Sequence, residues 1–277
     1  MEMKLLTLNT HSLIEGRGEE QASVLSDAIL TEKFDVIALQ EVNQPKENAP
    51  ISEGTTVKEG NFAFEVLRRL EKVGVEYHFF YLPIKLGYEK YDEGLAFLCR
   101  APIAEVETFA LTEGYGYENW RRRAALGVRC EGSDEWFFNL HMGWWDDPTE
   151  PFFSQWVRLL RHLLPKKDYW LMGDFNNPAE VRGEGYDLLR ESGLHDAYEM
   201  ARHRQGEGTA RAKIDGWRGR ASASEWLRID QIWSSRARSV EVYCTLFDGK
   251  YFPVISDHLG VSVTVNDPDR TDRKEKL

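Results

Sequence analysis

Asp35-Val36-Ile37-Ala38-Leu39-Gln40-Glu41 is a nearly unbroken apolar run that closes on an amide and a carboxylate. No polar residue alternates through it, which is the pattern of a strand buried on both faces. The flanks read as helix and strand in mixture. Residues 4–9 form a short β-type run ending at Asn9, Gly16 and Gly18 mark a loop, and residues 19–32 carry Ala22, Leu25, Ala28 and Ile29 on one helical face. Downstream, residues 43–60 make a long loop rich in Pro, Gly and charge, and residues 61–73 form a second amphipathic helix stopped by Gly74. Strand-like segments then dominate, over 77–84, 94–100, 103–111, 123–130 and 135–141, several separated by short turns that suggest antiparallel pairing. A helix with Phe152, Trp156, Leu159, Leu160 and Leu163 on one face is ended by Pro165, and residues 169–174 form another buried strand. A short helix over 186–191 precedes strands over 226–233, 240–247 and 259–265. Helices mixed with antiparallel hairpins predict an α/β sandwich of two packed sheets with outer helices, rather than a doubly wound parallel sheet.

The chain has 277 residues, 42% hydrophobic and 29% charged, a composition able to build a sizeable core. Residues 1–266 read as one domain, and residues 267–277 as a charged, disordered tail. No apolar run is long enough for a membrane span, and the N-terminus lacks a secretory stretch. Cys99, Cys130 and Cys244 are odd in number and widely spaced, the usage of buried thiols in a reducing compartment, so a cytoplasmic location is expected. With 46 acidic against 35 basic residues, the net charge is −11. Binding along a nucleic acid normally leaves a basic footprint, and an anionic membrane asks for the same. Extended nucleic-acid partners and membranes are therefore disfavoured, small substrates are favoured, and no protein partner is inferable.

The apolar runs share a further property. They terminate at Asn9, Glu41, His141, Asp174 (with Asn176 two further on), Asp230 and the pair Asp257-His258. Any one of these is ordinarily a turn or capping residue. As a set they place acids, amides and histidines at strand ends, where sites in α/β proteins gather. A carboxylate that holds a divalent cation beside an imidazole that takes a proton from water suits hydrolysis of a phosphate ester.

In order along the chain, Leu-x-x-Asn near the N-terminus, Leu39-Gln40-Glu41, Asn139-Leu140-His141, Gly173-Asp174-Phe175-Asn176, Arg228-Ile229-Asp230 and Ser256-Asp257-His258 resemble the endonuclease/exonuclease/phosphatase superfamily. The resemblance implies a four-layer α/β sandwich and Mg2+ as cofactor, with Mn2+ as the substitute. It implies Glu41 as main metal ligand, helped by Asn9 and Asp257. His258 would be the general base, held and polarised by Asp230. Asp174 would position the attacking water, Asn176 would donate to a phosphate oxygen, and His141 would sit by the phosphoryl oxygens. Glu93 matches the acid that pairs with that histidine in the deoxyribonuclease branch. His11, His78, His162, His195 and His203 have no matching context and are expected to be surface or core histidines.

Substrate choice is expected to lie in loops beside these residues. His141-Met142-Gly143-Trp144-Trp145-Asp146-Asp147, residues 181–187 and Ile214-Asp215-Gly216-Trp217 bring aromatic and acidic groups together, indole platforms and hydroxyl acceptors that suit a sugar. Trp144, Trp145, Asp146 and Trp217 are thus candidate substrate contacts, and Arg121 and Arg123, in Trp120-Arg121-Arg122-Arg123, candidate phosphate contacts. These loops resemble the bacterial maltose 6'-phosphate phosphatases, which implies a cytoplasmic phosphomonoesterase for a small phosphorylated sugar. A phosphodiesterase, nuclease or sphingomyelinase-like, is the alternative. A non-catalytic binding module is disfavoured because Glu41, Asp174, Asp230 and His258 are all present.

Overall fold

Apolar runs with protein on both faces demand covering layers, and the computed structural model supplies them. It describes residues 2–14, 16–214, 216–217 and 225–266. Asp215 and the tail over 267–277 lie outside the described residues. The elements run β1 (Glu2–Asn9), α1 (Gly18–Glu32), β2 (Val36–Pro45), α2 (Phe62–Lys72), β3 (His78–Gly87), β4 (Tyr91–Cys99), β5 (Ile103–Ala110), β6 (Ala124–Cys130) and β7 (Trp136–His141). They continue with α3 (Phe152–Leu163), β8 (Tyr169–Asp174), α4 (Gly185–Glu191), β9 (His195–Asp196), α5 (Ala197–Met200), β10 (His203–Gln205), β11 (Ala210–Arg211), β12 (Trp226–Leu227), β13 (Asp230–Ser234), β14 (Ser239–Leu246) and β15 (Gly260–Asn266).

One sheet has the order β10-β14-β15-β1-β2-β4-β3, the other β5-β6-β7-β8-β13-β9, and β11 pairs with β12 in a two-stranded sheet, with Ala210 also bridging to His258. Within β1 and β2 successive residues face opposite layers. Leu6, Leu8, Ile37 and Leu39 pack with Ala22, Leu25, Val66 and Leu70 of α1 and α2, whereas Leu5, Val36 and Ala38 meet Leu126, Phe137, Trp170 and Met172 of the other sheet. The far face of the second sheet is covered by Phe152, Trp156 and Leu159 of α3 and by Tyr186 and Leu189 of α4. The result is the expected four-layer α/β sandwich of two mixed, largely antiparallel sheets. Among the described residues no helix is long and apolar enough to cross a membrane.

The sheets are tied together at the site end by buried amides. Gln40 Nε2 donates to Asn139 Oδ1 at 2.6 Å, and Asn139 Nδ2 donates to the carbonyls of Leu39 and Ala96. Asn139 is fully buried, so each of these bonds replaces one that water cannot offer. Two expectations need correcting. Strand β2 does not stop at Glu41 but continues to Pro45, with a register shift against β4 between Leu39 and Val42. The stretch 226–233 is not one strand: it breaks where the buried Arg228 turns to Asp196, Nη2 to Oδ2 at 2.9 Å. Asp230 therefore opens a strand instead of closing one, and because β13 runs antiparallel to β8 it still reaches the same rim.

Candidate active site

Strand register assembles the floor. His141 pairs with Asp174 across the parallel β7–β8 ladder, and Asp174 pairs with Asp230 across the antiparallel β8–β13 ladder, so three polar groups stand in one row. The row needs glycine beside it: a Cβ on Gly173 would lie 1.9 Å from the Leu140 carbonyl oxygen. From the facing sheet, Asn9 reaches across, its Nδ2 donating to Glu41 Oε1 at 3.0 Å and to Asp174 Oδ2 at 3.1 Å. Glu41 sits in the bulge of β2 at φ 48°, a left-handed conformation that costs a β-carbon residue energy and re-aims its side chain. Asn176 takes φ 48° as well, its N–H donating to Asp174 Oδ1 at 2.8 Å.

His258 completes the floor. Its Nδ1 lies 2.9 Å from Asp230 Oδ2 and its Nε2 4.0 Å from Asp174 Oδ2, with His258 5% and Asp230 0% exposed. The preceding Ser256 anchors this turn, its hydroxyl donating to the Asn9 carbonyl while accepting from the His258 N–H. His141 Nε2 is 3.8 Å from Glu41 Oε1 and 3.7 Å from Asp174 Oδ2.

Burial and neighbours divide the proton affinities. Burial, then the charge of Asp230, pushes the Asp174 carboxyl up to about 7, and burial, then Glu93, raises Glu41. For His258, burial opposes the charge, but the carboxylates of Asp230, Asp174 and Asp257 outweigh it and hold the imidazole well above its ordinary range. His141 goes the other way, well below that range, because burial and then the cations Arg123 and Lys85 disfavour a further positive charge. One histidine is proton-rich and the other neutral, the separation that acid–base work requires.

Glu41, Glu93, His141, Asp174, Asn176 and His258 line a cleft of about 450 Å³ together with Lys85, Tyr88, Trp120, Arg123 and Trp144. Asp257 lies beside it, in a neighbouring cleft with Ser256, and its Oδ1 is 3.4 Å from His11 Nδ1. Glu93 presents a ligand atom within 4.8 Å of one on His141, and its ion-pair partner is Lys85, Nζ to Oε1 at 3.0 Å. Asn176 has one amide hydrogen committed to the Met142 carbonyl, and its Oδ1 accepts from Trp217 Nε1 at 3.1 Å. Trp217 is thus a support beneath Asn176, packed with Ala210, Leu227 and Ile229, and not a wall of the cleft. Trp145 packs against the α3 layer, Asp146 is exposed, and Arg121 stacks on Trp120 and pairs with Asp147 at 3.0 Å; none of the three lines the cleft.

Sequence reasoning passed over Lys85, Tyr88, Trp120 and His11. Lys85 carried a signal, a charge at the end of an apolar strand, and it is 8% exposed. His11 is no bystander histidine: at φ 40° it stands between Asp257 and the Tyr88 hydroxyl, its Nε2 3.2 Å from the latter. Tyr88, Glu89 and Lys90 connect β3 to β4, and Tyr88 and Glu89, at φ 50° and 60°, are the central residues of the turn that the Lys90 N–H closes on the Gly87 carbonyl, positions where Asn and Gly are the unstrained choice. Such strain is kept where surrounding structure enforces it, and here it hangs Tyr88 over the cleft.

The donor set fits a hard divalent cation. Glu41, Glu93 and His141 present ligand atoms within 4.8 Å of one another, as do Asp174, Asp230 and His258, and all are oxygen or imidazole donors. The elevated proton affinities of Glu41 and Asp174 give a second observation, since crowded buried carboxylates of this kind are relieved by a cation.

The family model described as endonuclease/exonuclease/phosphatase matches residues 6–258. No curated protein matches the sequence significantly. Among solved structures, an endonuclease/exonuclease/phosphatase family protein from Leptotrichia buccalis C-1013-b superposes with a TM-score of 0.87 at 29% identity, over 96% of this chain and 100% of that one. A mannosyl-6-phosphatase from Bacteroides thetaiotaomicron gives 0.66 at 20% identity, over 96% and 100%. D. rerio TDP2 complexed with a single-strand DNA product gives 0.61 at 16%, over 96% and 99%. The last two likenesses are of fold alone. With a matching model over nearly its whole length and the polar strand ends gathered in one cleft, the chain belongs to the endonuclease/exonuclease/phosphatase family, whose enzymes are metal-dependent phosphoric ester hydrolases.

Proposed function

We propose that the protein releases phosphate from a small phosphorylated sugar of the maltose 6'-phosphate type, in the cytoplasm, with Mg2+ or Mn2+ held by Glu41, Asn9 and Asp257. The observation that carries this reading is the cleft itself: its floor is the His141–Asp174–His258 cluster and its walls are Tyr88, Trp120 and Trp144. Aromatic walls offer flat apolar faces to the C–H surface of a sugar ring. The net charge of −11 adds support, because it opposes tracking of a polyanionic strand.

In this reading, a divalent cation supplies Lewis-acid polarisation of the phosphoryl oxygens. His258 accepts a proton at Nε2 from the water that attacks phosphorus, while Asp230 holds Nδ1 and fixes the tautomer. Of the carboxylates that favour a protonated His258, Asp257 would be engaged by the cation, which moves the imidazole toward the unprotonated form a base must have. Asp174 positions the water, neutral His141 faces the phosphoryl oxygens, and Asn176, held by Met142 and Trp217, has one amide hydrogen left to donate. The O–P bond to water forms as the bond to the sugar oxygen breaks, and the leaving alkoxide takes a proton from solvent. Hydrolysis of sugar phosphates, read as inorganic phosphate, of DNA, read as cleaved strands, and of sphingomyelin, read as phosphocholine, with and without chelator, tests the proposal. Metal-dependent phosphate release from a sugar phosphate is expected; cleavage of DNA or sphingomyelin alone overturns it.

A further inference from the structure

Beside the carboxylates of the cleft stand two buried cations whose proximity calls for an explanation. Lys85 and Arg123 are 8% and 4% exposed, and both line the cleft. They donate to one shared acceptor, the Trp120 carbonyl oxygen, Lys85 Nζ at 3.1 Å and Arg123 Nη1 at 2.8 Å. Like charges held that close in a desolvated place oppose each other, and burial followed by Arg123 lowers the proton affinity of Lys85. Compensation inside the protein is incomplete. Lys85 has Glu93 at 3.0 Å, whereas Arg123 spends Nη1 on the backbone carbonyls of Trp120 and Arg122 and leaves its buried Nε without a hydrogen-bond partner. Glu41 is the remaining nearby carboxylate acting on both cations. Once Glu41 is engaged by a divalent ion, Lys85, Glu93 and Arg123 together keep one positive charge in excess, while Asp147, which also acts on Arg123, is paired with Arg121.

We infer that Lys85 and Arg123 form a subsite for the doubly ionised terminal phosphate of a monoester, so that this cleft selects phosphomonoesters over phosphodiesters. The inference rests on the phosphohydrolase reading above and deepens it from a catalytic floor to a charge state of the substrate. A monoester carries close to two negative charges near neutral pH, as any phosphate with a second ionisation near 6 does. A diester carries one and brings a second esterified oxygen into a place lined by donors. Two cations arranged around one carbonyl therefore gain more from the dianion.

The test measures the ratio of kcat/KM for a sugar phosphomonoester to that for bis(p-nitrophenyl) phosphate, in wild type, Lys85→Gln, Lys85→Arg, Arg123→Gln and Arg123→Lys. Inhibition by inorganic phosphate is measured alongside, and thermal unfolding reports whether each variant folds. Loss of one charge-assisted donor predicts a fall in the ratio on the order of 10²-fold in Lys85→Gln, with Lys85→Arg recovering much of it. Phosphate inhibition should weaken in parallel, and in wild type it should tighten as pH rises through the second ionisation of phosphate. Equal losses for both esters, or an unchanged ratio with unchanged phosphate inhibition, overturn the subsite. Should wild type turn over the diester and no sugar phosphate, the proposed substrate falls, and phosphate inhibition still decides the subsite: weaker in Lys85→Gln keeps it, equal removes it. Should Lys85→Gln fail to fold, Arg123→Gln carries the same comparison, because it likewise removes one positive charge and its donors, with Arg123→Lys as the charge-preserving control.

Discussion

Replacing Asp230 by Asn isolates the contribution of the dyad at the cleft floor. Asp230 Oδ2 lies 2.9 Å from His258 Nδ1 in a place with no solvent access, and Asp230 does not line the cleft. Substrate therefore meets His258 but not its partner, and the substitution should act on kcat far more than on KM. A hydrogen bond to a charged group contributes about 1.5–3 kcal/mol, roughly a 10- to 150-fold loss of rate. The sign of the pH effect follows from charge. The Asp230 carboxylate raises the proton affinity of His258, so an amide in its place lowers it, and the acid limb of kcat/KM moves to lower pH. Steady-state phosphate release from about pH 5 to 9, with saturating metal and with thermal unfolding as a control for folding, reads both quantities. A loss below about threefold, or a loss confined to KM, or an acid limb that stays in place, refutes the dyad as drawn.

Other expectations follow from the same geometry. The folded, metal-free protein holds Asp174 at about 7 against 3.8 for the free group, so between those values the native state binds more protons and stability falls as pH rises. His258, raised above 6.5, acts in the same direction: its contribution is complete below pH 6.5 and is lost as pH climbs through its higher folded value. The chelated protein should consequently melt at lower temperature at pH 8.5 than at pH 6, with added Mg2+ or Mn2+ raising Tm most at the higher pH; a flat or reversed profile in calorimetry contradicts this. Trp120→Ala removes a half-exposed wall of the cleft and should raise KM for a sugar phosphate by about tenfold, the scale of one stacking contact, while changing KM for ethyl phosphate much less. Equal effects on the two substrates would remove Trp120 from sugar binding. Gly173→Ala drives a methyl group to 1.9 Å from the Leu140 carbonyl and should destabilise by more than about 3 kcal/mol, read as an early denaturant midpoint at unchanged m-value; a wild-type midpoint would show that β7 and β8 can part.

Several features were determined by local sequence. Strands buried on both faces write themselves as unbroken apolar runs, so the two-sheet architecture was legible, and the polar residues that interrupt those runs, Asn9, Glu41, His141, Asp174 and His258, stand out against that background even though β2 continues past Glu41. Helices α1, α2 and α3 declared themselves by period, since their apolar residues recur on one face. The cleft walls were decided only in three dimensions. Trp120 and Trp145 look alike in sequence as indoles beside charged residues, yet Trp120 lines the cleft and Trp145 packs on α3, because loop path and not residue type sets which way a loop indole turns. Lys85 shows in the sequence only as a charge at the end of an apolar run, and its place is set when β3, β4 and the loop over 117–123 bring its ammonium beside Arg123 and under the Trp120 carbonyl. The bulge that aims Glu41 and the strained turn that holds Tyr88 over the cleft depend on pairing between β2, β3 and β4, which no single run encodes. Hydrophobic period is a property of neighbours in the chain and survives in the sequence; charge proximity and loop direction are properties of neighbours in space, and folding alone creates them.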